Sequence, residues 1–186
     1  MNLGLLAEAD ATVNRASDSF GKTERANLIK ASIALQRDDY GTAIASLETV
    51  REKLPDDVQL GLMLARSYLG LRRFGDAEAA ARHVLALDPH NPQAFLVQAR
   101  IALHADRPAD AIDSALSAIS LQYGNPMGHL LLGAALHAEG RFEEAEKPLR
   151  NCLKLAPDFL RARRLLSRVL RGLGTREEAA AEEGIG

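Results

Sequence analysis

The sequence predicts an all-α protein in which antiparallel helix pairs stack into a right-handed superhelical solenoid. Two observations carry this prediction. The chain repeats itself every 34 residues, and within each repeat the apolar residues recur at spacings of three and four, as on one face of a helix. Aromatic residues make up only 4% of the chain, while Ala and Leu are abundant. This composition favours helices packed through small side chains over strands.

The repeats form four consecutive blocks without insertion or deletion: 24–57, 58–91, 92–125 and 126–159. When the blocks are aligned, positions 8 and 20 hold only Ala or Gly. Two helices approach closely where a small residue on one faces a bulky residue on the other. These positions therefore predict the contact between the first helix of a block, helix A, and the second, helix B. The small residues are Ala31, Ala65, Ala99 and Gly133 at position 8, and Ala43, Ala77, Ala111 and Ala145 at position 20.

Capping residues mark the expected helix ends. Pro92 and Pro126 occupy the first position of a helix A, and Gly140 predicts a tight turn between helices A and B. Pro148 lies inside a helix B and predicts a kink or a displaced first turn, because proline lacks a backbone donor. The residues predicted to N-cap the following helix A are Asp57, Asn91, Asn125 and Asp158.

Both ends of the chain fall in the middle of a repeat. Residues 3–18 predict a lone helix B, and residues 160–173 predict a further helix A. Thr175 and Glu178 form a capping box for a last short helix. The predicted organisation is an N-terminal half repeat over 1–23, four tandem repeats over 24–159, and a C-terminal half repeat with a capping helix and frayed tail over 160–186. The half repeats are either caps or the cut ends of a longer array, and both interpretations stay open.

The segments RFGDAEAAARHVLALDPHN and RFEEAEKPLRNCLKLAPDF resemble the second half of the tetratricopeptide repeat. The resemblance covers residues 24–159 and is specific, because 34-residue spacing is combined with small, aromatic and proline positions. The sequence departs from the family at position 4, where a large aromatic residue is replaced by Asn27, Gly61 and His129. Helix A is therefore expected to pack less tightly in those three repeats.

Signatures of catalysis and of cofactor binding are absent from the sequence. It contains no phosphate-binding loop, nucleophile elbow or zinc-protease helix, and its five histidines fall at different repeat positions. The single cysteine, Cys152, excludes an intramolecular disulfide and is expected to be a buried packing residue. We therefore expect a non-enzymatic chain with no catalytic residue, no metal site and no cofactor.

The overall charge limits the class of partner. The formal net charge is -2 and the pI is about 6.2, so the chain as a whole lacks the basic excess that attracts nucleic acid or anionic membrane. The N-terminus lacks the features of a signal peptide, and no run of 18 apolar residues occurs. We expect a cytoplasmic protein, and the composition has a bacterial character.

The resemblance to the tetratricopeptide repeat implies that the A helices line a concave groove, to which repeat positions 2, 5, 9, 12 and 13 contribute. Leucines at position 5 and arginines at positions 5 and 9 predict an exposed apolar strip accompanied by cationic side chains. For any one residue the alternative is that the leucines pack against neighbouring A helices and the arginines are merely solvated. The candidate partner-binding residues are Leu28, Leu62, Arg66, Leu96, Arg100, Leu130, Arg164 and Arg168.

The helix expected over 160–173 carries a further basic face. Arg161, Arg164, Arg168 and Arg171 recur at helical spacing. This face is either a solubilising cap or an extension of the groove. The basic residues lack the interleaved aromatic residues that stack on bases, which disfavours nucleic acid.

The expected function is that of a protein-interaction scaffold or adaptor. Arginine binds carboxylates through two parallel hydrogen bonds, so the partner protein or peptide is expected to present an apolar segment with Asp, Glu or a C-terminal carboxylate. The carboxylate clamp of co-chaperone members of the family is missing, since Leu28 and Ser32, or Leu62 and Arg66, stand where that clamp requires Lys and Asn. Two alternatives stay open: a self-assembling module that forms homo-oligomers, and an accessory domain of a larger enzyme.

Overall fold

A computed structural model describes residues 24–175 together with Ala179 and Ala181. The helix expected over residues 3–18 and the capping-box residue Glu178 lie outside the described residues. The described part of the chain contains nine helices: α1 Glu24–Gln36, α2 Tyr40–Arg51, α3 Val58–Gly70, α4 Phe74–Leu87, α5 Pro92–His104, α6 Pro108–Leu121, α7 Pro126–Ala138, α8 Phe142–Leu155 and α9 Leu160–Gly172.

The helices follow the 34-residue period. Each of α1, α3, α5, α7 and α9 begins at repeat position 1, and each of α2, α4, α6 and α8 begins at position 17. Consecutive helices pack against each other as A and B helices of one pair. The prediction of an all-α fold built from helix pairs is confirmed.

The described part of the chain divides into two compact units, with the boundary between Pro89 and His90. This division is coarser than the predicted four repeats and two half repeats, and that finer division stays a prediction. In the first unit α1 packs on α2 and α3 on α4, with α2 also packing on α3. Its core includes the fully buried side chains of Leu47, Val50 and Val84 on the B helices.

In the second unit α7 lies at the centre. It packs against its partner α8, against α6, and against the A helices α5 and α9. The core between these helices includes Leu149, Cys152 and Leu166, none of which is accessible to solvent. Because α7 separates α5 from α9, the exposed faces of these three A helices lie side by side.

Small residues at positions 8 and 20 bring helices A and B together. Wherever these positions hold alanine, the side chain is completely buried. At Gly133 an added Cβ atom would lie 2.6 Å from Cγ of Leu149 and 3.4 Å from the backbone oxygen of Ala145. The glycine on α7 therefore makes room for a leucine on α8, which allows the two helices to pack closely.

The turns between helices A and B share one backbone conformation. Position 15 has a positive φ in five successive turns, with Gly at two of these positions and a residue other than Gly at the other three. Glycine adopts this conformation without steric cost, whereas a side chain costs about 1–2 kcal/mol there. The residues are Asp38, Arg72, Asp106, Gly140 and Gly174.

Three of the four expected caps bind the helix that follows them. A carboxylate oxygen of Asp57 accepts from the backbone N–H of Leu60 at 2.7 Å, and the side-chain oxygens of Asn91 and Asn125 accept from the first turns of α5 and α7. The expectation for Asp158 is wrong. Phe159 is the N-cap of α9 and makes no side-chain capping bond.

The expected weak packing at position 4 is wrong for two repeats. A Cβ atom at Gly61 would lie 2.7 Å from Cγ2 of Val84, so the glycine lets α3 approach α4 closely. His129 is only 2% exposed and its ring packs edge-on against Tyr123, with Nε2 lying 2.9 Å from the backbone oxygen of Tyr123. Complementary neighbours replace the missing aromatic residues.

Pro148 lies within the continuous helix α8, which begins at Phe142 as the repeat period requires. The displaced first turn is therefore wrong. Pro148 is buried, at a repeat position that holds the smaller residues Ser46, Ala80 and Ser114 in the other three repeats.

Candidate functional site

A cavity of about 430 Å³ opens on the A-helix face of the second unit. Helices α5, α7 and α9 build it together, and its volume lies in the range of ordinary ligand pockets. We call it the arginine groove. Its lining residues are Arg100, Leu103, His104, Met127, Leu130, Leu131, Ala134, Arg161, Arg164, Leu165 and Arg168.

The three helices contribute different chemistry. Helix α9 contributes three arginines and α5 contributes one arginine and one histidine, whereas every lining residue of α7 is apolar. Leu130 and Leu131 are almost completely buried, at 4% and 6% exposed. The apolar surface that remains accessible therefore belongs to partly buried side chains at its margins, among them Met127 and Leu165.

The arginine groove is cationic although the chain is slightly acidic. No lining residue is Asp or Glu. Among the described residues, no carboxylate lies within ion-pair distance of Arg161, Arg164 or Arg168, all of which are exposed. On the B helices, by contrast, arginines at the N-caps bind acidic residues three positions later, as Arg141 binds Glu144 at 2.6 Å.

The pKa of His137 shows the effects of burial and of the nearby positive charge. Burial, and then the positive charge of Arg168, lower the pKa of His137. Its ring packs against Phe142 with 5.5 Å between the ring centroids. His137 therefore stays neutral at neutral pH and leaves the arginines as the principal source of charge here.

The structure brings four of the sequence-predicted residues together. Arg100, Leu130, Arg164 and Arg168 all line the arginine groove. Leu96 belongs to the core of the same unit and does not line the cavity. Leu28, Leu62 and Arg66 lie in the first unit, where Leu28 is partly buried and Arg66 is exposed.

The expected exposed leucine strip is wrong. Of the four leucines at position 5, Leu62, Leu96 and Leu130 are 7%, 6% and 4% exposed, and Leu28 is partly buried. Leu62, Leu96 and Leu130 are core residues because position 5 of α3, α5 and α7 faces the neighbouring helices, so these side chains gain more from packing than from exposure. The arginines and not the leucines dominate the accessible surface.

Sequence reasoning missed part of the cavity lining. Leu131 and Leu165 occupy position 6, which the family pattern does not place in the groove, and Met127 at position 2 was not selected. Position 2 is one of the groove positions of the family, which was the available signal for Met127, and Leu165 lies next to the selected Arg164. Arg161 belonged to the predicted basic face of α9, and the structure joins that face to Arg100.

Two other cavities have mixed linings. One of about 600 Å³ in the first unit contains carboxylates and cations that already bind one another or a hydroxyl, such as Glu48, which accepts from Tyr68 at 2.6 Å and pairs with Arg51. Burial and this hydrogen bond raise the pKa of Tyr68 to about 12. A smaller cavity of about 380 Å³ lies on α6, α7 and α8, around Ile112 and Pro148. Both linings contain acidic as well as basic residues, with an excess of carboxylates in the first.

Within residues 24–175, Ala179 and Ala181, no group of three or more His, Cys, Asp and Glu side chains is arranged to hold a metal ion. Over the same residues, no helix is long and apolar enough to cross a membrane.

Solved structures with the same fold come from several proteins. A MamA crystal structure is 22% identical with a TM-score of 0.70, over 88% of this chain and 90% of that one. A thermophilic tetratricopeptide repeat protein of Thermus thermophilus is 20% identical with a TM-score of 0.75, over 86% and 88%. A MamA structure from Desulfovibrio magneticus, covering residue 41 to the end of that protein, is 15% identical with a TM-score of 0.73, over 88% and 92%. At these identities the likeness establishes the fold alone.

Comparison at the level of sequence gives the family. None of the curated proteins compared with the chain matches it. Two family models, both described as tetratricopeptide repeat, match residues 34–101 and 128–159, which together make up more than half of the chain. With the 34-residue helix pairs described above, these matches show that the chain belongs to the tetratricopeptide repeat family.

Proposed function

We propose that this protein is a non-catalytic interaction module that binds an acidic, partly apolar segment of a partner protein in the arginine groove. The observation that carries the proposal is the convergence of four arginines on one cavity that has no acidic lining residue. Tetratricopeptide repeat proteins are generally protein-interaction modules, which agrees with the proposal at the level of the family. The cytoplasm, on the sequence arguments above, is the proposed compartment.

Charge complementarity selects the partner. A guanidinium group binds a carboxylate through two parallel hydrogen bonds, which makes Arg suited to acidic partners. Within the groove, Arg164 and Arg168 lie one helical turn apart on α9. Their like charges repel each other, so a partner that neutralises both relieves this repulsion as well as forming new ion pairs.

The apolar contribution is smaller than the sequence suggested. Since Leu130 at position 5 is buried, an apolar side chain of the partner contacts mainly Leu103, Met127 and Leu165, which line the arginine groove and are partly buried. Contact with these side chains desolvates the neighbouring arginines and strengthens their ion pairs. The segment therefore needs at least one apolar residue close to its acidic residues.

The proposal is tested by selection from a random peptide library against the full chain. We expect the selected peptides to be enriched in Asp and Glu next to Leu, Ile, Val or Met. The double variant Arg164→Glu with Arg168→Glu is expected to lose these peptides, because it replaces attraction by repulsion at the same positions.

The matched control is the double variant Arg82→Glu with Lys154→Glu. It changes the net charge by the same amount, but both residues lie outside the arginine groove and are exposed. It should bind the selected peptides as the unmodified chain does. Selection of basic peptides, equal loss in both variants, or a chain that selects no peptide and instead associates with itself in light scattering would contradict the proposal.

A further inference from the structure

The charges of the arginine groove are distributed unequally between its two sides. On α5 the cationic lining consists of Arg100, with His104 beside it. On α9 it consists of Arg161, Arg164 and Arg168. Helix α7, which lies between them, contributes only Met127, Leu130, Leu131 and Ala134. A segment that crosses the groove therefore meets one cationic side, an apolar strip, and a second side with a higher charge.

The width of the groove sets a length. Neighbouring packed helices have axes about 8–10 Å apart, so α5 and α9 are separated by about 16–20 Å across α7. An extended chain rises about 3.3 Å per residue, so about five residues cover that distance. An α-helix rises only about 1.5 Å per residue, so an extended chain needs the fewest residues to reach both sides.

The spacing along α9 sets the second feature. Arg161, Arg164 and Arg168 lie at intervals of three and four residues. At about 1.5 Å per residue these intervals correspond to about 4.5 Å and 6 Å along the helix. Each long arginine side chain reaches several positions, so a cluster of two or three acidic residues can bind this side. The α5 side offers a single guanidinium and suits one acidic residue.

Resting on the proposed function, we propose that the groove selects an extended acid–apolar–acid segment: one acidic residue binds Arg100, apolar residues cross α7, and an acidic cluster about five residues away binds the arginines of α9. The partner is thus recognised by two separated charges of unequal size, and a segment with acidic residues at one end only binds more weakly.

The probe is a fluorescein-labelled peptide with the sequence Glu-Ala-Leu-Ala-Leu-Glu-Glu-Glu, made also in the reverse order, and the tighter of the two serves as reference. Binding to the full chain is followed by fluorescence anisotropy. Replacing the single Glu by Lys is expected to weaken binding at least tenfold. Arg100→Glu should restore the affinity for that Lys peptide, whereas Arg164→Glu should not. Shortening the apolar stretch to one residue should also weaken binding, since the peptide then reaches only one side.

The outcomes separate this inference from the proposed function. If neither peptide binds, the proposed function fails with it. If the acidic cluster is needed but the single Glu is replaced by Lys without effect, or if Arg164→Glu rescues the Lys peptide as well as Arg100→Glu does, only the two-sided recognition is overturned. Circular dichroism checks that each variant is folded. Arg100→Gln provides a milder test, because it should abolish discrimination between Glu and Gln at the single acidic position.

Discussion

At the scale of single residues, the structure depends on pairs of small and large side chains at matched repeat positions. Position 8 on helix A and position 24 on helix B hold Gly133 with Leu149 in the fourth repeat, whereas the third repeat has Ala99 with Ala115. Leu149, Ala99 and Ala115 have no solvent exposure. The first repeat combines Ala31 with Leu47, both also fully buried, so the size of the pair varies between repeats and each pair fits its own surroundings.

We expect Gly133→Ala to lower the free energy of unfolding by about 1–3 kcal/mol, because the new methyl group overlaps Leu149. Leu149→Ala alone should cost about 2–5 kcal/mol through the cavity that it leaves. The double variant should cost clearly less than the sum, since the two alanines reproduce the pair of the third repeat. Urea unfolding of the four proteins measures this coupling.

Gly75→Ala serves as the control, because nothing lies within 4 Å of an added Cβ atom at that position of α4. It should leave stability unchanged or raise it by up to about 1 kcal/mol through the reduced flexibility of the unfolded chain. Additive costs at Gly133 and Leu149 would show that helices α7 and α8 can move apart without loss.

Cys152 gives stability a dependence on alkaline pH. Burial raises the pKa of its thiol from 9.0 to about 11. Between these values the folded chain keeps a proton that the unfolded chain releases, so stability is complete below pH 9 and falls as the pH rises, by at most about 1.4 kcal/mol per pH unit. In Cys152→Ala this part of the slope should disappear, while other groups continue to contribute.

The measurement compares the slopes of unfolding free energy between about pH 8.5 and pH 11 for the two proteins. Ala118 occupies the same position of the preceding repeat, so alanine is compatible with this environment. A thiol reagent should modify Cys152 only as fast as the protein unfolds. Fast modification of the folded protein, or identical slopes, would show that the thiol is accessible.

At the scale of helices, the repeat period specifies where each element begins, and local side chains determine how its N-terminus is capped. The A helices α3, α5 and α7 begin with Asp57, Asn91 and Asn125, whose oxygens accept backbone hydrogen bonds. The B helices α4, α6 and α8 instead begin with Arg73, Arg107 and Arg141, each paired with an acidic residue three positions later. In the second, third and fourth repeats the two helices thus have different N-caps, whereas α2 in the first repeat is capped by Asp39, whose side chain accepts from the backbone N–H of Thr42.

The caps lead to a contrast between two aspartates near a helix start. Asp57→Ala should lower stability by about 1 kcal/mol, because Leu60 loses its acceptor at 2.7 Å. Asp158→Ala should change stability by less than about 0.5 kcal/mol, since Phe159 is the cap of α9. Thermal unfolding of the two variants checks the difference. An equal loss in both would mean that Asp158 acts on α9 through the helix dipole.

At the scale of the whole molecule, the net charge differs in sign from the charge of the arginine groove. The chain carries a formal charge of -2, yet the arginine groove has four arginines and no carboxylate among its lining residues. Exposed charges interact over about 10 Å at about 0.1 M salt. A bound partner therefore interacts more strongly with the groove arginines than with most of the remaining charges. The sign of the net charge does not predict the sign of the partner's charge.

Salt dependence follows from this distribution. The affinity for the acidic reference peptide should fall several-fold when ionic strength is raised from about 0.05 M to about 0.5 M, because screening weakens the exposed ion pairs. In the variant Arg164→Glu with Arg168→Glu the residual affinity should vary less or rise with salt. Anisotropy titrations at several salt concentrations measure both. If the affinity for the reference peptide does not change with salt, the peptide is bound by apolar contacts and not by ion pairs with the arginines.

The 34-residue period alone specifies the fold class and the helix starts. A period of 34 residues with small residues at positions 8 and 20 leaves helix pairs as the only arrangement that buries both faces, and the helices begin at positions 1 and 17 throughout the described part of the chain. The positive φ at position 15 was also partly visible, since Gly140 and Gly174 lie one period apart. These features depend on local periodicity, which can be read directly from the amino-acid sequence.

Packing between helices, and not the repeat period, determines which residues of the A helices reach solvent. Leu62, Leu96 and Leu130 share a repeat position with Arg164, but the leucines are buried and the arginine lines a cavity. The periodic pattern shows that these residues lie on one face of their helices. Whether that face is covered depends on how closely neighbouring helices approach, and that distance is set by packing between side chains far apart in the sequence.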